Sequence, residues 1–160
     1  MITVNFHNQS EISDELLKFA VIAARLGGKW IFCRHKERDT WEIPGGHREK
    51  ATGGGYGEDV FETAKRELRE ETGAVEFEIK SISVYGVTKN EQTTYGMLFF
   101  ADVKTLGELP PEMEIGEIML SDTLPKELTY PEIQPYLLKR VQSWLNLQSS
   151  ADEFGMDYER

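Results

Sequence analysis

Arg66-Glu67-Leu68-Arg69-Glu70-Glu71-Thr72-Gly73-Ala74 is the stretch on which the reading of this chain turns. It closes a segment, Glu58 to Thr72, that has neither Gly nor Pro and is rich in strong helix formers. Val60, Phe61, Ala64 and Leu68 fall on one side at helical spacing, so the pattern predicts a helix over 58–72 with Gly73 as its stop. In that helix Glu67, Glu70 and Glu71 stand at i, i+3 and i+4, which brings three carboxylates to one face. Like charges repel at that spacing, and the last turns sit at the negative end of the helix macrodipole. Two accounts of the cluster follow. Either it is a solvated face neutralised by Arg66 and Arg69, or it holds a hard divalent cation, for which oxygen-only donors favour Mg²⁺, or Mn²⁺, over zinc.

The surrounding frame weighs between them. Upstream, Trp41-Glu42-Ile43 reads as a brief strand stopped by Pro44-Gly45-Gly46, and the segment to Gly57 contains Gly53-Gly54-Gly55 and reads as a loop. Glu58, then seven residues, then Arg66, Glu67, Glu70, Glu71 and Gly73, with Leu68 and Ala74 in apolar slots, resembles the signature of the Nudix hydrolases at every fixed position from Glu58 onward. The first half of that signature differs. Eleven residues separate Gly46 from Glu58 where the pattern has five, and Thr52 occupies the position that the shorter spacing gives to Gly. A six-residue insertion within 47–57 accounts for this, and loop-closure entropy grows slowly enough with length to tolerate it.

The resemblance, strong over 41–74, implies an α/β (α+β) fold, the Nudix-type α/β/α sandwich with a mixed β-sheet between helices. It also implies hydrolysis of a nucleoside diphosphate linked to another group, with Mg²⁺ or Mn²⁺ as cofactor. Carried over to this chain, the metal ligands are Glu67, Glu70, Glu71 and the carbonyl of Gly46, and the catalytic set is Glu67, Glu70, Glu71 and Arg66, the last orienting Glu70 from one turn away. The general base stays open among the three helix glutamates and Glu112, Glu114 and Glu117 of a later segment. A (d)NTP or an oxidised purine triphosphate of the 8-oxo-dGTP type, cleaved to monophosphate and pyrophosphate, is the favoured substrate. ADP-ribose, nucleotide sugars and dinucleoside polyphosphates are alternatives within the class, and a nucleotide sensor without turnover is one outside it.

Working outward, Leu17–Arg25 and Lys29–Arg34 read as strands joined at Gly27-Gly28. Val75–Thr88 and Thr94–Val103 read as a second pair around the turn 89–92, and Ile115–Leu120 as a further strand. After Pro131, the residues Ile133, Tyr136, Leu137, Val141, Trp144 and Leu145 recur at helical intervals to about Leu147. The expected domain is 1–148, followed by a polar tail, 149–160. Arg34, His35, Lys36 and Arg38 form a compact basic patch, with Arg34 the candidate phosphate contact. His35 and His47 are expected to face solvent, and Phe6, Trp41, Tyr85 and Tyr95 can either stack a base or pack a core.

Composition sets the outer limits. At 160 residues with 39% hydrophobic content, the chain has the size and apolar content of one globular domain. A formal net charge of -10 disfavours nucleic-acid and anionic-membrane partners, leaving a small nucleotide. A single cysteine, Cys33, excludes an internal disulfide and a thiolate zinc cage. With no basic, apolar leader pattern at Met1-Ile2-Thr3-Val4-Asn5, a cytoplasmic setting is expected. Oligomeric state is not legible.

Overall fold

In a computed structural model, which describes the backbone of residues 1–153 and the side chains of 1–150, the chain forms one mixed seven-stranded sheet between two α-helices. The strands are β1 (Ile2–His7), β2 (Leu17–Leu26), β3 (Lys29–His35), β4 (Gly45–His47), β5 (Ala74–Lys89), β6 (Gln92–Leu106) and β7 (Ile115–Ser121), and the helices are α1 (Val60–Thr72) and α2 (Gln134–Glu153). Their order across the sheet is β1-β5-β6-β2-β3-β7, with β4 paired to β2. The pairing of β2 with β6 is parallel and the other pairings are antiparallel. This is the expected sandwich.

The sheet is covered on both sides because its central strands alternate between two apolar faces. Ala20, Ile22 and Ala24 of β2 and Met97, Phe99, Ala101 and Val103 of β6 join Val60, Ala64 and Leu68 of α1 in one core. Ala23, Leu98 and Phe100 turn the other way and join Leu137, Leu138 and Val141 of α2. Two tight hairpins set the registers. Gly27 and Gly28, at φ 58° and 85°, turn β2 into β3, and Asn90 and Glu91, at φ 52° and 64°, turn β5 into β6.

Three elements differ from expectation. Ile2–His7 forms β1 along β5, a strand whose alternation of Ile2, Val4 and Phe6 with polar residues spans only six positions. Trp41–Ile43 makes isolated bridges, Glu42 to Cys33 and Trp41 to Leu128, and the ordered strand begins at Gly45, inside the expected loop. The reason is a change of partner. Glu42 exchanges both backbone hydrogen bonds with Cys33 of β3, then Pro44 O accepts from Ile22 N–H, and β4 pairs with Phe19–Val21 of β2. The segment thus wedges between β2 and β3, which remain paired only at their hairpin end. Finally, α2 runs beyond Leu147, so 149–153 of the expected tail continue the helix, and 154–160 lie outside the described residues.

The insertion is a small closed excursion. Lys50 bridges Tyr56, Ala51 N–H donates to Gly55 O, and Gly57 N–H donates to Glu49 O, so the chain returns to its entry point. Arg48 anchors the base of this excursion from a buried position, donating to the carbonyls of Asp14, Leu17 and Glu58 while its guanidinium covers the Tyr56 ring at 4.0 Å. With the insertion closed on itself, Gly46 lies against the Glu67 side chain of α1.

Candidate active site

Helix α1 begins at Val60, shortly after the excursion closes at Gly57. Asp59 caps it, accepting from Glu62 N–H while Glu62 returns a bond to Asp59 N–H, and Gly73 ends it at φ 78° in the left-handed region. Leu68 and Ala64 face the core, and this fixes the rotation of the helix so that Glu67 and Glu71 point at the Gly45-Gly46 backbone. Glu71 accepts from Gly45 N–H at 2.7 Å. At Gly46 a Cβ would lie 2.5 Å from Glu67 Oε1, so only a glycine lets that carboxylate approach the strand.

Arg66 collects the outer part of the cluster. Its Nε and Nη2 donate to the two oxygens of Glu58 at 2.7 and 3.0 Å, and its Nη1 donates to Glu67 at 2.7 Å and Glu70 at 3.2 Å. Nη2 also donates to His47 O, which ties β4 to α1. The paired arginine holds the Glu58 carboxyl down at about 2. Glu67 behaves oppositely: burial and the neighbouring charge of Glu71 push it up to about 7, against the pull of Arg66. Burial also raises Glu71. Glu70 stands further out, its side chain 31% exposed, and is the one member of the helix trio that does not line the cleft.

Sequence reasoning missed a second layer behind these acids. Glu42 is buried and accepts from Arg38, while His35 Nε2 lies 2.6 Å from Glu42 and 3.5 Å from Glu71. His35 Nδ1 in turn lies 3.4 Å from Glu114. The expected solvent-facing histidine is instead a bridge between buried carboxylates, and its hydrogen bond with Glu71 and the charge of Glu42 raise its pKa. The visible signal was an acid, Glu42, between the apolar Trp41 and Ile43. Arg34 is placed elsewhere: it donates to Glu117 and to the carbonyls of His35 and Arg38, and it does not line the cleft. Of the basic patch, His35 and Arg38 reach the cleft, and so does His47 from β4. Glu114 lines it as well, whereas Glu112 and Glu117 do not.

The cleft holds about 690 Å³. Glu67, Glu71 and Arg66 line it beside Gly46, and Phe19, Tyr85, Tyr130, Ile133 and Gln134 contribute an aromatic and apolar surface. The donor chemistry fits a hard divalent cation. Two carboxylates, both with raised pKa values, stand together against a glycine backbone, and one guanidinium shared among four acids leaves their charge uncompensated. Cys33, Glu42 and Glu71 also present ligand atoms within 4.8 Å of one another, on the buried side of the same cluster.

A mixed sheet between helices thus sets the acids of one helix against the glycines of β4. The NUDIX domain model matches residues 17–140, and the chain belongs to the Nudix family of hydrolases acting on acid anhydrides. It is 30% identical over 122 residues to YtkD of Bacillus subtilis (strain 168), which carries the provisional name 8-oxo-dGTP diphosphatase, covering 76% of this chain and 73% of YtkD. It superposes on the crystal structure of a point mutant of the Bacillus subtilis pyrophosphohydrolase BsRppH with a TM-score of 0.69 and 26% identity, covering 89% of this chain and 90% of that one. A UDP-X diphosphatase shares the fold at a TM-score of 0.62 and 21% identity, over 84% of this chain and 66% of that one.

Proposed function

We propose that this Nudix hydrolase cleaves a nucleoside triphosphate, with oxidised purine triphosphates of the 8-oxo-dGTP type included, to the monophosphate and pyrophosphate. The observation that carries the reading is one cleft lined both by clustered carboxylates and by aromatic and apolar residues with a buried amide, matching a substrate with a charged part and a planar part. The likeness to YtkD supports the purine triphosphate class.

Glu67, Glu70, Glu71 and the Gly46 carbonyl would hold Mg²⁺, or Mn²⁺. When bound, such an ion neutralises diphosphate oxygens and acidifies water. The chain's own residues do the positioning. Arg66 fixes Glu67 and Glu70 relative to Glu58 and clamps β4 to α1 through His47 O. Glu71 is held from both sides, by Gly45 N–H and by His35, whose second nitrogen faces Glu114. Arg38 lies on the cleft wall beside Glu42, where a guanidinium can meet phosphate oxygens. Water attacks phosphorus, the bridging P–O bond breaks, and the proton leaves to a helix glutamate. Cys33 is buried and in no disulfide, and burial raises its thiol pKa, which fits a packing role. Among the described residues no helix is long and apolar enough to cross a membrane.

Nucleotide product release, resolved by chromatography over a panel of nucleoside triphosphates, ADP-ribose, nucleotide sugars and dinucleoside polyphosphates, with Mg²⁺ and with chelator, tests the proposal. Metal-dependent release from purine triphosphates is the expected outcome. Turnover confined to ADP-ribose or nucleotide sugars would replace the substrate class, and nucleotide binding without any turnover would favour the sensor.

A further inference from the structure

The aromatic lining of the cleft includes two polar side chains that the phosphate chemistry does not use. Phe19, Gly96, Tyr85 and Phe6 lie in register across β2, β6, β5 and β1. Gly96 carries no side chain, and a Cβ there would run into the Phe19 ring, so Phe19 lies over the strand and meets Tyr85 with ring centroids 5.7 Å apart at 49°. Tyr85 is 2% exposed and Gln134, in the first turn of α2, is 4% exposed, yet both line the cleft.

The orientation of the Gln134 amide is fixed by chemistry. Its Oε1 accepts from Ile43 N–H at 2.8 Å, and a backbone N–H can be answered only by the carbonyl side of the amide. Nε2 is thereby turned away from Ile43, with no protein acceptor among the described residues, and the Tyr85 hydroxyl likewise has no hydrogen-bond partner among them. Neither atom is sealed from the cleft: Ser83 Oγ is the one fully buried, unpartnered side-chain polar atom among the described residues. The N–H donors of this largely buried residue have no protein acceptor among the described residues, so they are met from the cleft, by water or by a ligand oxygen that takes its place. Ile43 and Gly45, two residues apart on the same extended segment, bind Gln134 and Glu71 respectively, so the amide stands about 7 Å along the chain from the carboxylate contact.

We infer that Gln134 and Tyr85 recognise the 6-keto oxygen of a purine base and make this cleft selective for 6-keto over 6-amino purine nucleoside triphosphates. Glutamine reads adenine by pairing its carbonyl with the 6-amino group and its amide with N7. Here the carbonyl already accepts from Ile43 N–H and Nε2 supplies the donors, so a 6-amino group facing Nε2 would set N–H against N–H. A keto oxygen accepts from Nε2, with the Tyr85 hydroxyl as a second donor, and burial raises the phenol pKa so that it keeps its proton. The inference rests on the triphosphate reading given above.

Inosine and adenosine triphosphates share sugar and phosphates and differ at ring position 6 and the adjoining N1 proton, so their kcat/KM ratio isolates this contact. The wild-type ratio is expected to favour inosine triphosphate at least ~tenfold. Gln134→Glu keeps an oxygen for Ile43 N–H but replaces the donor by an acceptor, and it should bring the ratio to about one or below. Tyr85→Phe should narrow it at least ~threefold. Equal wild-type efficiencies, or a ratio unchanged in Gln134→Glu, overturn the inference and leave the triphosphate reading standing. If Gln134→Glu does not fold, an unchanged ratio in Tyr85→Phe overturns it instead. Absence of both turnover and calorimetric binding for the two nucleotides removes the triphosphate reading and this inference together.

Discussion

Three glutamates of one helix occupy three different electrostatic environments, and the differences come from what each side chain touches. Glu71 is buried between Gly45 N–H and His35, Glu67 is pressed against Gly46, and Glu70 sits at the rim on Arg66. Because Glu70 is the most exposed of the three, its replacement tests chemistry with little disturbance of packing. Glu70→Gln is expected to lower kcat at least ~100-fold, about 2.7 kcal/mol of barrier, with an unchanged thermal melt. Full activity in that variant would remove Glu70 from the ligand set. The isosteric pair Glu67, pushed up to about 7, and Glu58, held at about 2, shows the same side chain moved in opposite directions by burial beside an acid and by a bidentate arginine.

Helix α1 is placed by its ends as much as by its apolar face. The capping box at Asp59 fixes where it starts, and Gly73 lets the chain turn sharply into β5. At Gly73 the left-handed φ of 78° combines with a crowded surrounding, since an added Cβ would lie 2.7 Å from Gly107 O. Gly73→Ala is therefore expected to cost about 2 kcal/mol or more, read as a lowered urea midpoint with an unchanged slope. An unchanged midpoint would show that the turn relaxes freely. The excursion over 51–56 illustrates the converse: it closes on itself through Lys50, Tyr56 and Glu49, so its added length does not reach the helix it precedes.

Across the whole molecule, the acid cluster couples stability to pH and to metal. Glu67 binds its proton more tightly in the folded chain than in the unfolded one, whose carboxyl has the ordinary value of 4.5. That contribution to stability is complete below the unfolded value and is lost as pH rises through about 7. Glu58 has the opposite sign: its contribution is present above the ordinary value and lost as pH falls toward about 2. A cation that takes the ionised carboxylates should restore what deprotonation of Glu67 removes. The increase in melting temperature on replacing EDTA with Mg²⁺ is thus expected to be larger at about pH 8 than at about pH 5.5. A shift of equal size at both would detach the metal from Glu67.

The sequence by itself determined what is local. The spacing of Glu67, Glu70 and Glu71, the helix that carries them, its glycine stop and the Arg66 partner all lie within a few helical turns, where side-chain position follows from residue number alone. The apolar runs 17–25 and 29–34 around Gly27-Gly28 likewise read as a strand pair. Only the tertiary structure decided which segments meet those acids. Glu42 and His35 converge on Glu71 because 41–47 changes partner from β3 to β2, and that exchange depends on backbone hydrogen bonds between residues with no fixed sequence separation. Gln134 reaches Ile43 across 91 positions of the chain, and Tyr85 meets Phe19 over a glycine of a third strand. Helical periodicity propagates through neighbouring residues. A cleft assembled from segments far apart in sequence has no such local rule, and it exists only once the sheet has closed.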